Sequence, residues 1–191
     1  MVRSRGRRRE AGIDLGDLLE TFIANSQAYQ NQIIRFATET YRQNKYSKIN
    51  GIMQFMFVEP WPAITWAVLD YWRQPKPAYY VLKNVMQPVL VTAVLPTTTP
   101  ANQPWSFDLL VVNDLLASYP RTTCRWNIVD GRMQQQDANS HTFSLEPDST
   151  TEPITVTAKP LPPGDYHLIL TLHDGGDLLS QNSYLIKVQT S

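Results

Sequence analysis

Between Pro88 and Gln189 the sequence repeats one pattern seven times: a short run rich in Val, Ile, Leu, Tyr and Thr, closed by turn-forming residues. The runs are PVLVTAVL, SFDLLVVND, TTCRWNIVD, HTFSLE, ITVTAK, DYHLILTLHD and NSYLIKVQ. Seven short strands in about 100 residues, with turn signals between them, predict an antiparallel β-sandwich of immunoglobulin-like type. In the sixth run, Tyr166, Leu168, Leu170 and Leu172 alternate with His167, Ile169 and Thr171. A period of two places the first set on one apolar face. Gly175–Gly176 followed by Asp177 supplies a hairpin turn between the last two strands. Trp126 lies mid-strand, where such sandwiches keep a central Trp. Tyr166 follows Pro163–Gly164–Asp165, where a tyrosine corner bonds back to the preceding loop. Leu168 stands where antibody domains place their second Cys, so the sandwich is expected to be free of disulfides. Cys124 is the only cysteine, which leaves no intrachain partner.

The residues before Pro88 have a different character. Leu15, Leu18, Leu19, Phe22, Ile23, Tyr29, Ile33, Phe36, Ala37 and Tyr41 recur at three- and four-residue spacing, which predicts an amphipathic helix over 14–45. Asp14 is the expected N-cap, with Asp17 and Glu20 beside the positive end of the dipole. Gly51 then opens IMQFMFV, an apolar run without alternation, the pattern of a strand buried on both faces. Pro60 and Pro62 end it. A second helix is predicted to begin near Pro75 or Pro77 and to run to about Met86. Helix, buried strand and helix read as a fragment of α/β architecture. The domain reading is a disordered basic tail over 1–13, a helix–strand–helix segment over 14–86, and a sandwich over 87–191. The class is α+β.

Charge is unevenly spread. Five of the 17 basic residues lie within the first ten positions, and removing that stretch leaves 12 basic against 16 acidic residues, near −4. No basic, aromatic-interleaved surface follows the Arg cluster, so neither nucleic acid nor a membrane is an expected partner. Glu10, Asp14 and Asp17 interrupt any secretory or transit-peptide pattern. No stretch approaches the roughly 18 apolar residues of a membrane span. Localisation is left open. His141, His167 and His173 have no metal-ligand spacing, and no phosphate loop or GxGxxG occurs, so no cofactor or metal is expected.

The stretch Phe55–Met56–Phe57–Val58–Glu59–Pro60–Trp61–Pro62, then Asp70–Tyr71, then Pro75–Lys76–Pro77–Ala78–Tyr79–Tyr80 resembles the end of the last barrel strand and the following helix of family 2 glycoside hydrolases. The resemblance is to the β-mannosidase and exo-β-glucosaminidase branch, and it covers about residues 15–190. It implies that 14–86 is the end of a (β/α)8 barrel and that the sandwich is the domain following it. Two departures stand out: Phe55 replaces the Trp that opens the family's strand motif, and Val58–Glu59 replaces its Asn-Asp pair.

The resemblance implies hydrolysis of β-glycosidic bonds by the complete enzyme. That chemistry needs two carboxyl groups about 5–5.5 Å apart for retention, or about 6.5–9.5 Å for inversion. In the family these are glutamates on strands four and seven, upstream of anything matched here. The chain is therefore expected to be catalytically incomplete by itself, and no catalytic residue is assigned. Glu59, Trp61 and Phe55 are the candidate residues for a substrate-pocket rim. Glu59 also reads as a loop anchor, and Trp61 and Trp66 as packing under the loop. The expected partners are the missing barrel portion of a glycosidase, or a second copy bound through residues 14–86, with carbohydrate a further candidate ligand. The alternative function is a stand-alone β-sandwich that binds a partner or glycan through its polar loops, read as Gln134–Ser140 and Asp148–Thr151.

Overall fold

The computed structural model describes residues 9–10, 13–14 and 18–190, and the chain divides into two units, Met1–Met86 and Gln87–Ser191. In the first, β1 (Arg9–Glu10) pairs antiparallel with β2 (Ile13–Asp14). The rest of the stretch 1–13, read above as a disordered tail, lies outside the described residues. Helix α1 spans Leu19–Gln43, with Leu18 in the N-cap position and no side-chain cap. Asp14 is therefore not the cap, because it lies within β2.

Helix α2 (Pro77–Val85) begins with Pro77 in its first turn, where the missing N–H is no loss. Its inner side packs Ala78 and Leu82 on Val68, with Ile34 of α1 and Tyr79 against them. Arg42 of α1 donates from Nη1 to the Val85 carbonyl at 2.6 Å. A guanidinium there satisfies a C-terminal helix carbonyl and complements the negative end of the α2 dipole. The buried positions of α1 are Thr38, Glu39 and Arg42, while Phe36 and Ile33 of its apolar stripe remain exposed.

The expectation of a strand buried on both faces over 52–58 is corrected. The segment belongs to no sheet: it bends at Phe55 and Phe57 and has one isolated bridge, parallel, from Val58 to Leu69. Met53 is 96% exposed, Phe55 75% and Phe57 46%. A strand is buried on both faces only where neighbouring strands cover it, and among the described residues the one backbone pairing of this segment is with Leu69.

The second unit is an antiparallel β-sandwich. Its strands are β3 (Val89–Val94), β4 (Thr99–Pro100), β5 (Trp105–Asn113), β6 (Tyr119–Asp130), β7 (Gln135–Leu145), β8 (Ser149–Thr150), β9 (Ile154–Ala158), β10 (Gly164–Asp174) and β11 (Asp177–Gln189). One sheet has the order β4-β11-β10-β6-β7. The other has β5 at its centre, pairing β3, β8 and β9. Every pairing is antiparallel except β4 with β11. All seven predicted runs are strands. The core lies between the sheets: Val91, Phe107 and Leu109 from one, Trp126, Leu168 and Leu170 from the other. Trp126 meets Phe107 edge-on at 5.8 Å between ring centroids, a preferred aromatic geometry. The Tyr166 hydroxyl donates to the Pro162 carbonyl at 3.0 Å, forming the expected corner. Gly175 takes φ +57 in the two-residue turn joining β10 to β11.

The polar segment Gln134–Ser140 is not a loop. Residues from Gln135 onward belong to β7, which pairs β6 along the outside of the five-stranded order. An edge strand with a wet face tolerates Gln, Asn and Ser that a central strand would reject. Ser149 and Thr150 likewise pair with β5 as β8. The open side of β3 is closed by side chains of β11. Val91 N–H donates to Ser180 Oγ at 3.1 Å, Asn182 Nδ2 donates to Val91 O at 3.1 Å, and Ala93 N–H donates to Tyr184 Oη at 3.1 Å.

Candidate functional site: a carboxylate anchoring an aromatic loop

The residues singled out by sequence lie at the end of the Gly51–Val58 segment and on the loop beyond it. That loop is closed at its base by backbone bonds. Glu59 N–H donates to Leu69 O at 3.2 Å, Leu69 N–H to Phe57 O at 2.9 Å, and Lys76 N–H to Val68 O at 2.9 Å. Ala67 and Val68 are thereby held fully buried, whereas Trp61, Ile64 and Trp66 project from the loop and are exposed. Gln30 of α1 donates to the Trp66 carbonyl at 2.7 Å, tying the loop to the helix.

Inside the loop sits Glu59, only 3% exposed. Its Oε1 accepts from Lys76 Nζ at 2.7 Å and from Thr65 Oγ1 at 2.7 Å. Lys76 also donates to the Thr65 carbonyl at 3.2 Å, and Thr65 Oγ1 accepts from the Ala67 amide at 3.2 Å. One carboxylate thus joins three points of the chain, at positions 59, 65 and 76. The bond from Lys76, then that from Thr65, holds the Glu59 carboxyl below its ordinary value of 4.5, with burial opposing them. Charge-assisted bonds of this length outweigh the desolvation of a carboxylate whose lone pairs are occupied.

A catalytic acid needs the opposite, a carboxyl raised toward the working pH. Asp70 is committed as well, since its Oδ1 accepts from the Gln74 amide at 2.8 Å within a turn. Of the three rim candidates, Phe55 and Trp61 are at the surface and Glu59 is turned into the loop. Lys76 and Thr65 were missed as its partners. The available signal was Glu59 itself: a carboxylate bounded by apolar residues needs a cation, and Lys76 is the one in the Pro75–Pro77 motif. Beside the loop, a cleft of about 540 Å³ is lined mainly by apolar side chains, including Phe22, Tyr29, Ile33, Trp66 and the Lys76 stem.

The fold and this loop define a class: a β-sandwich preceded by a unit of two helices and a loop-bearing connecting segment. The same arrangement covers 93% of this chain in the β-D-mannosidase from Dictyoglomus thermophilum, at a TM-score of 0.74 and 17% identity. It covers 92% in the exo-chitosanase CsxA of Amycolatopsis orientalis, at a TM-score of 0.71 and 20% identity. The chain spans 22% and 20% of those two proteins respectively. In sequence, 75 residues are 35% identical to β-mannosidase B of Aspergillus niger, covering 38% of this chain and 9% of that protein. No family model matches the chain. The chain resembles the C-terminal part of a family 2-like glycosidase. Among the described residues, no helix is long and apolar enough to cross a membrane.

Proposed function

We propose that this chain acts as the C-terminal part of a glycosidase hydrolysing β-glycosidic bonds. Residues 14–86 supply the last strand position and final helix of a (β/α)8 barrel, and residues 87–191 an immunoglobulin-like sandwich behind it. The observation that carries this reading is the joint match of both units, over more than nine-tenths of the chain, in the two solved glycosidases. The identity to β-mannosidase B supports a β-mannoside as substrate of the complete enzyme. The exposed Met53, Phe55 and Phe57 support it too, because a barrel strand flanked on both sides would cover them.

In this reading Glu59 is a positioning residue that holds the loop, and Phe55 and Trp61 contribute to the pocket rim. The two carboxylates of the reaction come from the remainder of the barrel. A stand-alone binding module is less well supported, since both polar segments offered for it contain sheet residues. The test is a chimera in which this chain replaces the corresponding C-terminal portion of A. niger β-mannosidase B. Retained hydrolysis of a chromogenic β-mannoside is expected. A folded chimera without turnover, beside an active parent, would contradict the proposal.

A further inference from the structure

We propose that Asn50 is a site of spontaneous deamidation, with the Gly51 main-chain nitrogen as the attacking group. The proposal concerns this dipeptide alone and goes beyond the glycosidase reading. Asn50 is the one asparagine of the sequence that glycine follows. A residue without a Cβ lets its nitrogen approach the preceding side chain closely. Asn50 lies in a bend, and both residues are exposed. The turn after α1 closes just before them, with Tyr46 N–H donating to Ile49 O at 2.9 Å and Ile49 N–H to Asn44 O at 3.2 Å. The next backbone–backbone bond downstream is the one Phe57 O accepts. Among the described residues, neither the Asn50 carboxamide nor the Gly51 amide has a hydrogen-bond partner. The dipeptide can therefore reach a cyclising geometry without breaking a bond.

Loss of its proton makes the Gly51 nitrogen a nucleophile. It bonds to Cγ of Asn50, the Cγ–Nδ2 bond breaks, and the nitrogen leaves as ammonia after taking up a proton. Water then opens the cyclic imide. Opening at Cγ leaves aspartate at position 50. Opening at the main-chain carbonyl carbon leaves isoaspartate, whose backbone runs through Cβ and Cγ. Overall one water enters and one ammonia leaves. Only atoms of residues 50 and 51 and that water take part, so the reaction needs neither a partner nor an oxidant. It gives a chain of zero formal charge one negative charge. The Asn–Ser pairs of the chain are held away from this course. Asn139 and Asn182 lie in paired strands, and each Oδ1 accepts the N–H of the following serine, at 2.8 and 2.9 Å. Asn25 lies within α1.

The test incubates the folded 191-residue chain in mildly alkaline buffer and follows the tryptic peptide 49–73, which holds no other asparagine, by mass spectrometry. A synthetic peptide of residues 46–55 sets the time scale. The tryptic peptide is expected to gain the mass difference between NH2 and OH, with isoaspartate in excess of aspartate and a rate that rises with pH. Gly51→Ala is the discriminating variant. A Cβ at Gly51 meets nothing within 4 Å and φ there is not positive, so the circular dichroism should not change. Conversion should slow by about tenfold or more, because the added methyl hinders the attacking nitrogen. A chain whose Asn50 stays intact after the synthetic peptide has converted would overturn the proposal. So would a Gly51→Ala chain that converts as fast as wild type, or conversion of Asn139 or Asn182 ahead of Asn50.

Discussion

Glu59 illustrates what one buried carboxylate does when its oxygen is shared between Lys76 and Thr65. Replacing it with Gln keeps the volume and one acceptor but leaves the Lys76 ammonium without its counter-charge. Glu59→Gln is expected to destabilise the first unit by about 1–3 kcal/mol at neutral pH. Urea unfolding followed through the Val68 and Leu69 amide signals measures this. The pH dependence has a definite sign. The folded carboxyl titrates below its ordinary 4.5, so the unfolded chain binds the proton more tightly. The stabilisation is complete above about pH 4.5 and is lost as pH falls through the lower folded value. The variant should lack that component, and an identical acid profile in the two proteins would contradict the assignment. In the sandwich, Tyr166→Phe deletes only the hydroxyl that reaches Pro162. A loss of about 1 kcal/mol is expected on thermal or urea unfolding of that unit.

At the scale of elements, the two units differ in how much of their shape is local. Strand β10 was legible because alternation from Tyr166 to Leu172 is written in the sequence, and Leu168, Leu170 and Leu172 are fully buried as it requires. Leu170→Ala should cost about 2–5 kcal/mol, whereas the half-exposed Thr171→Ala should cost well under half of that. Comparing their urea midpoints checks the inward assignment. Helix α2 was legible from Pro77. The Gly51–Val58 segment was misread because an apolar run specifies burial without supplying the strands that would bury it. The polar strand β7 was underread for the converse reason, since Gln and Asn disfavour strands until an edge position makes their face harmless. The Glu59–Lys76 pair was hidden because 17 residues separate its partners. The Val58–Leu69 and Leu69–Pro75 bridges and the Lys76 N–H to Val68 O bond bring them together.

For the whole molecule, the comparisons set the scale. The chain follows two solved glycosidases over nearly all its length while spanning about a fifth of each. On the reading proposed above, the two carboxylates of glycoside hydrolysis are supplied by the rest of the barrel. Glu59 and Asp70 are both engaged in holding their own loop. The most direct measurement is an assay of the purified chain against chromogenic β-mannoside, β-galactoside, β-glucuronide and β-glucosaminide substrates. It is run alone and again with the N-terminal barrel portion of a related β-mannosidase added. The account predicts no turnover by either part alone and β-mannoside hydrolysis on mixing. Turnover by the 191-residue chain alone, reproduced in Glu59→Gln, would contradict it.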